Sequence, residues 1–326
     1  MSPKKQEYVV GIDLGGTKIY AAVVDKKGHI LGSARKRTKA ELGFDMTIQR
    51  MATCVELAVA EAGVNMADIL AVGVGSPGPL DLKKGRIIET PNLKWQDAPL
   101  KADLKKRLQR PVAIDNDGNV GLLGEYAYGA GHGSQDMVGL FIGTGIGGGV
   151  IINGRLLHGF NENAAELGHM ILNPDGPLCG CRNHGCLEAF ASRLAIEREI
   201  RQAIDGGVAS RIFDGLDQPG AMLRSKRLSE AYGANDAAVV QAIERSATYV
   251  GYGVASLLNI FNPEVVVIGG GVVEAIGQPY VDIVQRVASQ NVFKIALRNV
   301  RIVAAELKDD SAVLGAAELA WQKIAK

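Results

Sequence analysis

Three kinds of chemistry crowd into the segment from Gly143 to Glu188. It opens with a glycine-rich turn, GTGIGGG (143–149), whose backbone amides can approach and cradle an anion. Glu166 and His169 follow in ELGH (166–169), and the acidic side chain of Glu166, like that of Glu188 further on, suits sugar hydroxyls. CGCRNHGCLE (179–188) then supplies Cys179, Cys181 and Cys186, with Glu188 behind them. Three thiolates and one imidazole close a tetrahedral Zn²⁺ site with no position left for water, which makes such a site structural rather than catalytic. His169 and His184 compete for the fourth place. His184 lies inside a short loop that wraps poorly around one ion, so the sequence favours His169. A Zn²⁺ held there would fix Glu166 and Glu188, which flank it, relative to each other.

Two further motifs lie upstream. DLGGTK (13–18) puts Gly15 and Gly16 in a turn, Thr17 and Lys18 add a hydroxyl and a charge, and Asp13 is placed to hold Mg²⁺ through water. An ordinary hairpin turn explains the same residues, and the spacing is not that of a Walker A loop. Asp115, Asn116 and Asp117 end an apolar run. A carboxylate there can accept the proton of an attacking hydroxyl, a contribution of roughly 10²- to 10⁴-fold in rate. Asp117 equally suits the N-cap of the helical run beginning at Asn119. TPNLKW (90–95) offers Asn92 to a hydroxyl and Trp95 to a sugar face, or is simply a loop with a packed indole. His29, His132 and His158 show no partner pattern. Two matches to GxGxxG, starting at Gly73 and Gly143, lack the following helix that aims its N-terminus at a pyrophosphate, which argues against a dinucleotide-binding dehydrogenase.

The 326 residues carry 36 basic and 35 acidic side chains, a formal net charge of +1. No global field draws such a chain to nucleic acid or to an anionic membrane. The basic run from Lys101 to Arg110 has Leu100, Leu104 and Leu108 at helical spacing and reads as a solvated helix face. No apolar run is long enough for a signal peptide or a bilayer span, which points to the cytoplasm. In that reducing compartment the crowded cysteines favour metal over disulfide, and Cys54 stands alone.

The elements that must position these groups are α/β. Strands are expected at Tyr8 to Ile12 and Ile19 to Val24, a helix over about 45–62 with Gly63 as its stop, and a buried strand over Ile69 to Gly75. The plan then recurs: a strand from Met137 to Ile142, the glycine turn, a strand from Val150 to Ile152, a tight turn at Asn153 and Gly154, and a later strand from Glu264 to Ile268 ending in three glycines. Two lobes of similar structure, each begun by a glycine-rich hairpin, are therefore expected, with a ligand in the cleft between them. Residues 205–236 show no clear periodicity and read as a variable loop or irregular helical insertion. Ser311 to Lys326 reads as a helix.

Together these segments resemble the ROK family (repressors, open reading frames and kinases), and within it the bacterial glucokinases. The resemblance rests on DLGGTK (13–18), GVGSPGPLD (73–81), TPNLKW (90–95), DNDGN (115–119), GTGIGGG (143–149), ELGH (166–169), CGCRNHGCLE (179–188), NPEVVVIGGGV (262–272) and DDSAVLGAAELA (309–320), in order along nearly the whole chain. It implies a two-lobed, actin-like (ribonuclease H-like) fold with an interlobe active-site cleft. It also implies transfer of the γ-phosphoryl of ATP to a hexose, at the 6-hydroxyl of glucose. Asp117 then matches the general base. Asn92, Asn116, Asp117, Glu166, His169 and Glu188 match the sugar-binding set. Asp13, Gly15, Gly16, Thr17, Lys18, Thr144 and Gly145 fall in the ATP phosphate loops, and Gly269, Gly270 and Gly271 near the nucleotide. His169 would serve both the sugar and, with Cys179, Cys181 and Cys186, the Zn²⁺. The family guide for assembly is a homodimer.

Two departures stand out. Arg182 occupies the place of a usual glycine after the second cysteine, and Asp115 replaces a frequent glutamate before Asn116 and Asp117. Residues 1–116 with a C-terminal helix at 311–326 are expected to form a smaller lobe, and 117–310 a larger one carrying the cysteines. A kinase for another hexose, or a non-catalytic sugar sensor on the same fold, remain the rival readings. The first strand begins at Tyr8, which leaves no room for the repressors' helix-turn-helix, and Asp13 and Asp117 together favour catalysis.

Overall fold

The computed structural model describes residues 7–90, 93–215 and 223–324. Strands β1 (Tyr8–Leu14), β2 (Lys18–Val24) and β3 (Ile30–Arg37) form an antiparallel meander. Helix α1 (Phe44–Glu61) buries Ile48, Met51, Ala52, Val55, Ala58 and Val59, which recur every three or four positions and form one stripe. Gly63 takes φ 66° just beyond it, the left-handed stop expected there. β4 (Ile69–Ser76) pairs parallel with β1. β5 (Leu80–Asp81), β6 (Arg86–Thr90) and β7 (Trp95–Ala98) form a small sheet of their own. α2 (Leu100–Leu108) buries Leu100, Leu104 and Leu108, each worth about 1.5–3 kcal/mol, and leaves its basic residues largely in solvent. β8 (Val112–Asn116) pairs parallel with β4 and leads directly into α3 (Asp117–Tyr128).

The second sheet begins with β9 (Met137–Ile142), β10 (Ile146–Ile152) and β11 (Arg155–Leu156). Asn153 and Gly154 both have positive φ in the turn between the last two, as a tight hairpin demands. The chain continues through α4 (Leu187–Ala191), α5 (Arg193–Asp205), α6 (Ser225–Gly233) and α7 (Ala237–Phe261). β12 (Val265–Gly269), α8 (Gly271–Ile276), α9 (Gln278–Asn291), β13 (Arg301–Ala304) and α10 (Ser311–Ile324) complete it. α6 lies inside the segment expected to be irregular, of which 216–222 fall outside the described residues.

The two large sheets have the orders β3-β2-β1-β4-β8 and β11-β10-β9-β12-β13. One topology is used twice, as the recurring glycine hairpins suggest. The chain falls into two compact units, one of residues 1–134, 149–165 and 309–326, the other of 135–148 and 166–308. The boundary expected after residue 116 therefore lies further on, and 149–165 rejoin the first unit. Packing explains it. α3 lies against α10, and α10 against β1 and β4. At Gly73 on β4, a side-chain carbon would stand 1.8 Å from the carbonyl oxygen of Ala316, so helix backbone rests directly on strand backbone there. Among the described residues, no helix is long and apolar enough to cross a membrane.

Candidate active site

In the first unit the parallel register aligns Asp13 with Gly75, and Gly75 with Asp115. One row across β1, β4 and β8 thus carries two carboxylates at the strands' carboxyl ends, where open α/β sheets bind ligands. Asp13 is largely buried, which raises its pKa to about 6; Lys18 opposes the shift and Asp309 adds to it. DLGGTK is the β1–β2 hairpin turn: the Gly15 amide donates to the Lys18 carbonyl at 2.9 Å, and Thr38 Oγ1 donates to the Gly15 carbonyl at 2.7 Å. Gly16 and Thr17 are exposed at its tip, and Lys18 Nζ lies 3.6 Å from Asp309.

At the end of β8, Asn116 is the helix cap. Its Oδ1 accepts the Gly118 amide at 2.8 Å, and Asp117 Oδ1 accepts the same hydrogen at 2.8 Å. The cap position that the sequence offered to Asp117 belongs to its neighbour, and Asp117 stands exposed as the first helical residue. Asp115 is buried. Its Oδ1 accepts from the Asn116 amide and from Asn119 Nδ2, both at 2.8 Å, and its Oδ2 lies 2.7 Å from His158 Nε2. Sequence reasoning gave His158 no partner; the two residues lie 43 positions apart, and no spacing rule joins them. Trp95 is buried, with its ring edge-on to Phe44 at 5.1 Å, so it packs rather than offering a sugar face. Asn92 lies outside the described residues.

In the second unit, Gly269 pairs with Phe141 in parallel register, which brings Gly269, Gly270 and Gly271 to the strand edge where the GTGIGGG turn begins. Gly270, at φ 90°, turns the chain from β12 into α8. Glu188 Oε2 accepts the Ile146 amide at 2.9 Å. A side-chain carbon on Gly145 would lie 2.4 Å from that same oxygen, so a larger residue there would have to push the Glu188 carboxylate off the Ile146 amide. Arg193 also holds the turn: its amide donates to the Gly143 carbonyl at 2.9 Å and its guanidinium to Thr144 Oγ1. Neither contact was legible in the sequence.

The ligating atoms of His169, Cys179, Cys181 and Cys186 all lie within 4.8 Å of one another. His169 Nδ1 is 3.7 Å from Cys179 Sγ, and the sulfurs of Cys181 and Cys186 are 3.6 Å apart. His184 is not part of the group; its Nδ1 is exposed and bonds the Gly176 carbonyl at 3.0 Å. A tight turn gathers the thiols, with the Cys179 amide donating to the Asn183 carbonyl at 2.8 Å and the Arg182 amide to the Cys179 carbonyl at 2.9 Å. Arg182 takes φ 73°, so it keeps the left-handed turn that a glycine makes more easily. Burial pushes the Cys179 thiol up to about 12. One imidazole and three thiols are the donor set of a structural zinc centre, whose charge would hold the sulfurs as thiolates. Beside the cluster, burial raises the pKa of the Glu166 carboxyl, with His169 opposing and Glu188 adding to the shift.

Two units of one sheet topology, with carboxylates and glycine turns at their strand ends, make up the two-lobed actin-like α/β fold. The chain belongs to the ROK family, whose model matches residues 9–323. It is 35% identical to the glucokinase of Thermotoga maritima over 318 residues, 97% of this chain and 98% of that one. The crystal structure of a ROK family glucokinase from Streptomyces griseus, in complex with glucose and AMPPNP, is similar at a TM-score of 0.84 and 34% identity, over 97% of this chain and 99% of that one. The xylose repressor of Caldicellulosiruptor bescii is 32% identical over 94% of this chain but only 76% of its own length.

Proposed function

We propose that the protein is an ATP-dependent hexose kinase that phosphorylates glucose at its 6-hydroxyl. The observation that carries this reading is Asp117, an exposed carboxylate just past a strand's carboxyl end that shares the Gly118 amide with the cap residue Asn116. Full-length similarity to glucokinases, one bound to glucose and an ATP analogue, supports the substrates.

Asp117 accepts the proton of the 6-hydroxyl as its oxygen attacks the γ-phosphorus. Glu166, Glu188, His169, Asn116 and Asn92 bond the remaining hydroxyls and fix the hydroxyl's approach. With Nδ1 of His169 turned toward Cys179, Nε2 is the nitrogen left to meet the sugar. The amides of the DLGGTK and GTGIGGG turns face the phosphates, with Thr17, Lys18 and Thr144, while Gly269 to Gly271 approach the nucleotide. Asp13 is the carboxylate that would hold Mg²⁺ through water, and its burial beside Lys18 suits a site meant for added positive charge. Mg²⁺ neutralises the phosphates it accompanies. Cys179, Cys181, Cys186 and His169 would hold Zn²⁺, which would fasten His169, and through the surrounding turn Glu166 and Glu188, in place. The reading carries with it a cytoplasmic homodimer.

A coupled assay of ADP release with Mg-ATP against a panel of hexoses tests it. Turnover on glucose well above that on mannose, fructose, allose and N-acetylmannosamine is expected. Turnover on another sugar alone would replace the substrate. Sugar binding with no turnover would favour a sensor, the reading that the repressor relative keeps open.

A further inference from the structure

We propose that His158 is a positioning residue for the base, acting on Asp117 through the buried carboxylate of Asp115. The inference rests on the reading of Asp117 as the base. Asp115 is 2% exposed, and a carboxylate so placed is stable only when its oxygens are supplied with donors. Three are in place. Two of them, the Asn116 amide and Asn119 Nδ2, flank Asp117 on either side in sequence and belong to the strand end and first turn that present it. The third, His158 Nε2 at 2.7 Å, comes from the segment after β11 and is the one donor of the three from outside the Asp115–Asn119 stretch. It sets where the Asp115 carboxylate sits, and that carboxylate sets where Asn116 and Asn119 sit.

The segment carrying His158 is itself held. The Ala164 amide donates to the His158 carbonyl at 3.0 Å, closing the loop on itself. Asn163 bonds both backbone groups of Leu80 at 3.0 Å, and Glu162 Oε2 accepts the Lys83 amide at 3.1 Å. The imidazole therefore reaches Asp115 from an anchored loop. Remove it, and a buried carboxylate loses the donor that comes from outside its own turn, which frees the strand end and first turn that carry the base to shift. Displacements of about 1 Å at a reacting group cost on the order of 10²-fold in rate.

The test compares His158→Ala, His158→Gln and Asp117→Asn in the intact protein. Gln offers an amide donor at about the reach of Nε2; Ala offers none. His158→Ala should lower kcat roughly 10- to 100-fold with KM for ATP unchanged, and His158→Gln should recover most of that loss. Hydrogen exchange at the Asn116 and Gly118 amides should quicken in His158→Ala and return in His158→Gln. Unchanged kcat in His158→Ala, or equal losses in both variants that follow their melting temperatures, would overturn the proposal. Near-normal turnover in Asp117→Asn would sink the base reading instead. The exchange measurement, which needs no turnover, then still decides whether His158 orders this turn.

Discussion

Glu188 and Ile146 are joined across 42 positions of chain by a 2.9 Å hydrogen bond from the Ile146 amide to Glu188 Oε2. The other carboxylate oxygen lies 3.4 Å from Cys179 Sγ. One side chain thus touches both the cysteine cluster and the glycine turn. The amide of Ile146 is committed to protein, as is that of Gly143, which donates to the Gly145 carbonyl at 2.9 Å. The Glu188 carboxylate also crowds position 145.

Gly145→Ala should therefore be severe and Gly143→Ala mild. The new methyl at 145 would meet Glu188 Oε2 at 2.4 Å, whereas at 143 the nearest neighbour is 3.9 Å away. Relief at 145 requires the Glu188 carboxylate to leave the Ile146 amide, which removes the bond that ties the turn to Glu188. Steady-state kinetics should show kcat/KM for ATP down by about 10²-fold in Gly145→Ala, against less than a fewfold in Gly143→Ala. Equal effects would separate the turn from nucleotide binding.

Replacing Asp117 by Asn removes the proton acceptor but keeps the size of the side chain. The Gly118 amide keeps its second acceptor, Asn116 Oδ1, so the helix start should survive. A fall in kcat of roughly 10²- to 10⁴-fold with glucose affinity within a fewfold is expected. Calorimetric titration with glucose measures the second quantity. A variant with near-normal turnover would remove Asp117 from the base role.

Asp13→Asn should make the protein more stable at neutral pH while disabling Mg-ATP turnover. The folded state holds the Asp13 proton up to about pH 6, against 3.8 for the free group. The folded state thus binds more protons in that window, and the wild-type contribution falls as pH rises through it. At pH 7.5 the charged buried carboxylate costs up to about 3 kcal/mol relative to a neutral one. Urea melts of both proteins should show Asp13→Asn ahead at pH 7.5, with the gap closing toward pH 4. A gap that widened on acidification would contradict the burial argument.

Much of this was legible in the sequence, for identifiable reasons. The α1 stripe, the Leu100, Leu104 and Leu108 face and the repeated glycine hairpins are local patterns, and each appears where its period places it. The choice of His169 over His184 followed from loop length alone; His169 lies within 4.8 Å of the three sulfurs, and His184 bonds the Gly176 carbonyl instead. What escaped were pairings set by tertiary contact. His158 with Asp115, Arg193 with Thr144 and the unit boundary beyond α3 all depend on segments distant in sequence. The cap at Asn116 escaped for a different reason. Asn and Asp serve as caps almost equally well, so adjacent candidates cannot be ranked by type.

Arg182 offers a test of the cysteine turn that leaves every ligand in place. At φ 73° a side chain crowds its own backbone, at a cost of about 1–2 kcal/mol that glycine avoids. Glycine gives back part of this through the greater freedom of its unfolded chain. Arg182→Gly should therefore raise the melting temperature by about 1–3 °C. Zinc content by mass spectrometry should remain one ion per chain in that variant and be lost in Cys181→Ser, which removes a ligand from the 4.8 Å cluster. A melting temperature that fell in Arg182→Gly with zinc retained would mean that the arginine side chain contributes more than its backbone strain removes. Zinc retained in Cys181→Ser, with the stability of the parent, would remove Cys181 from the site.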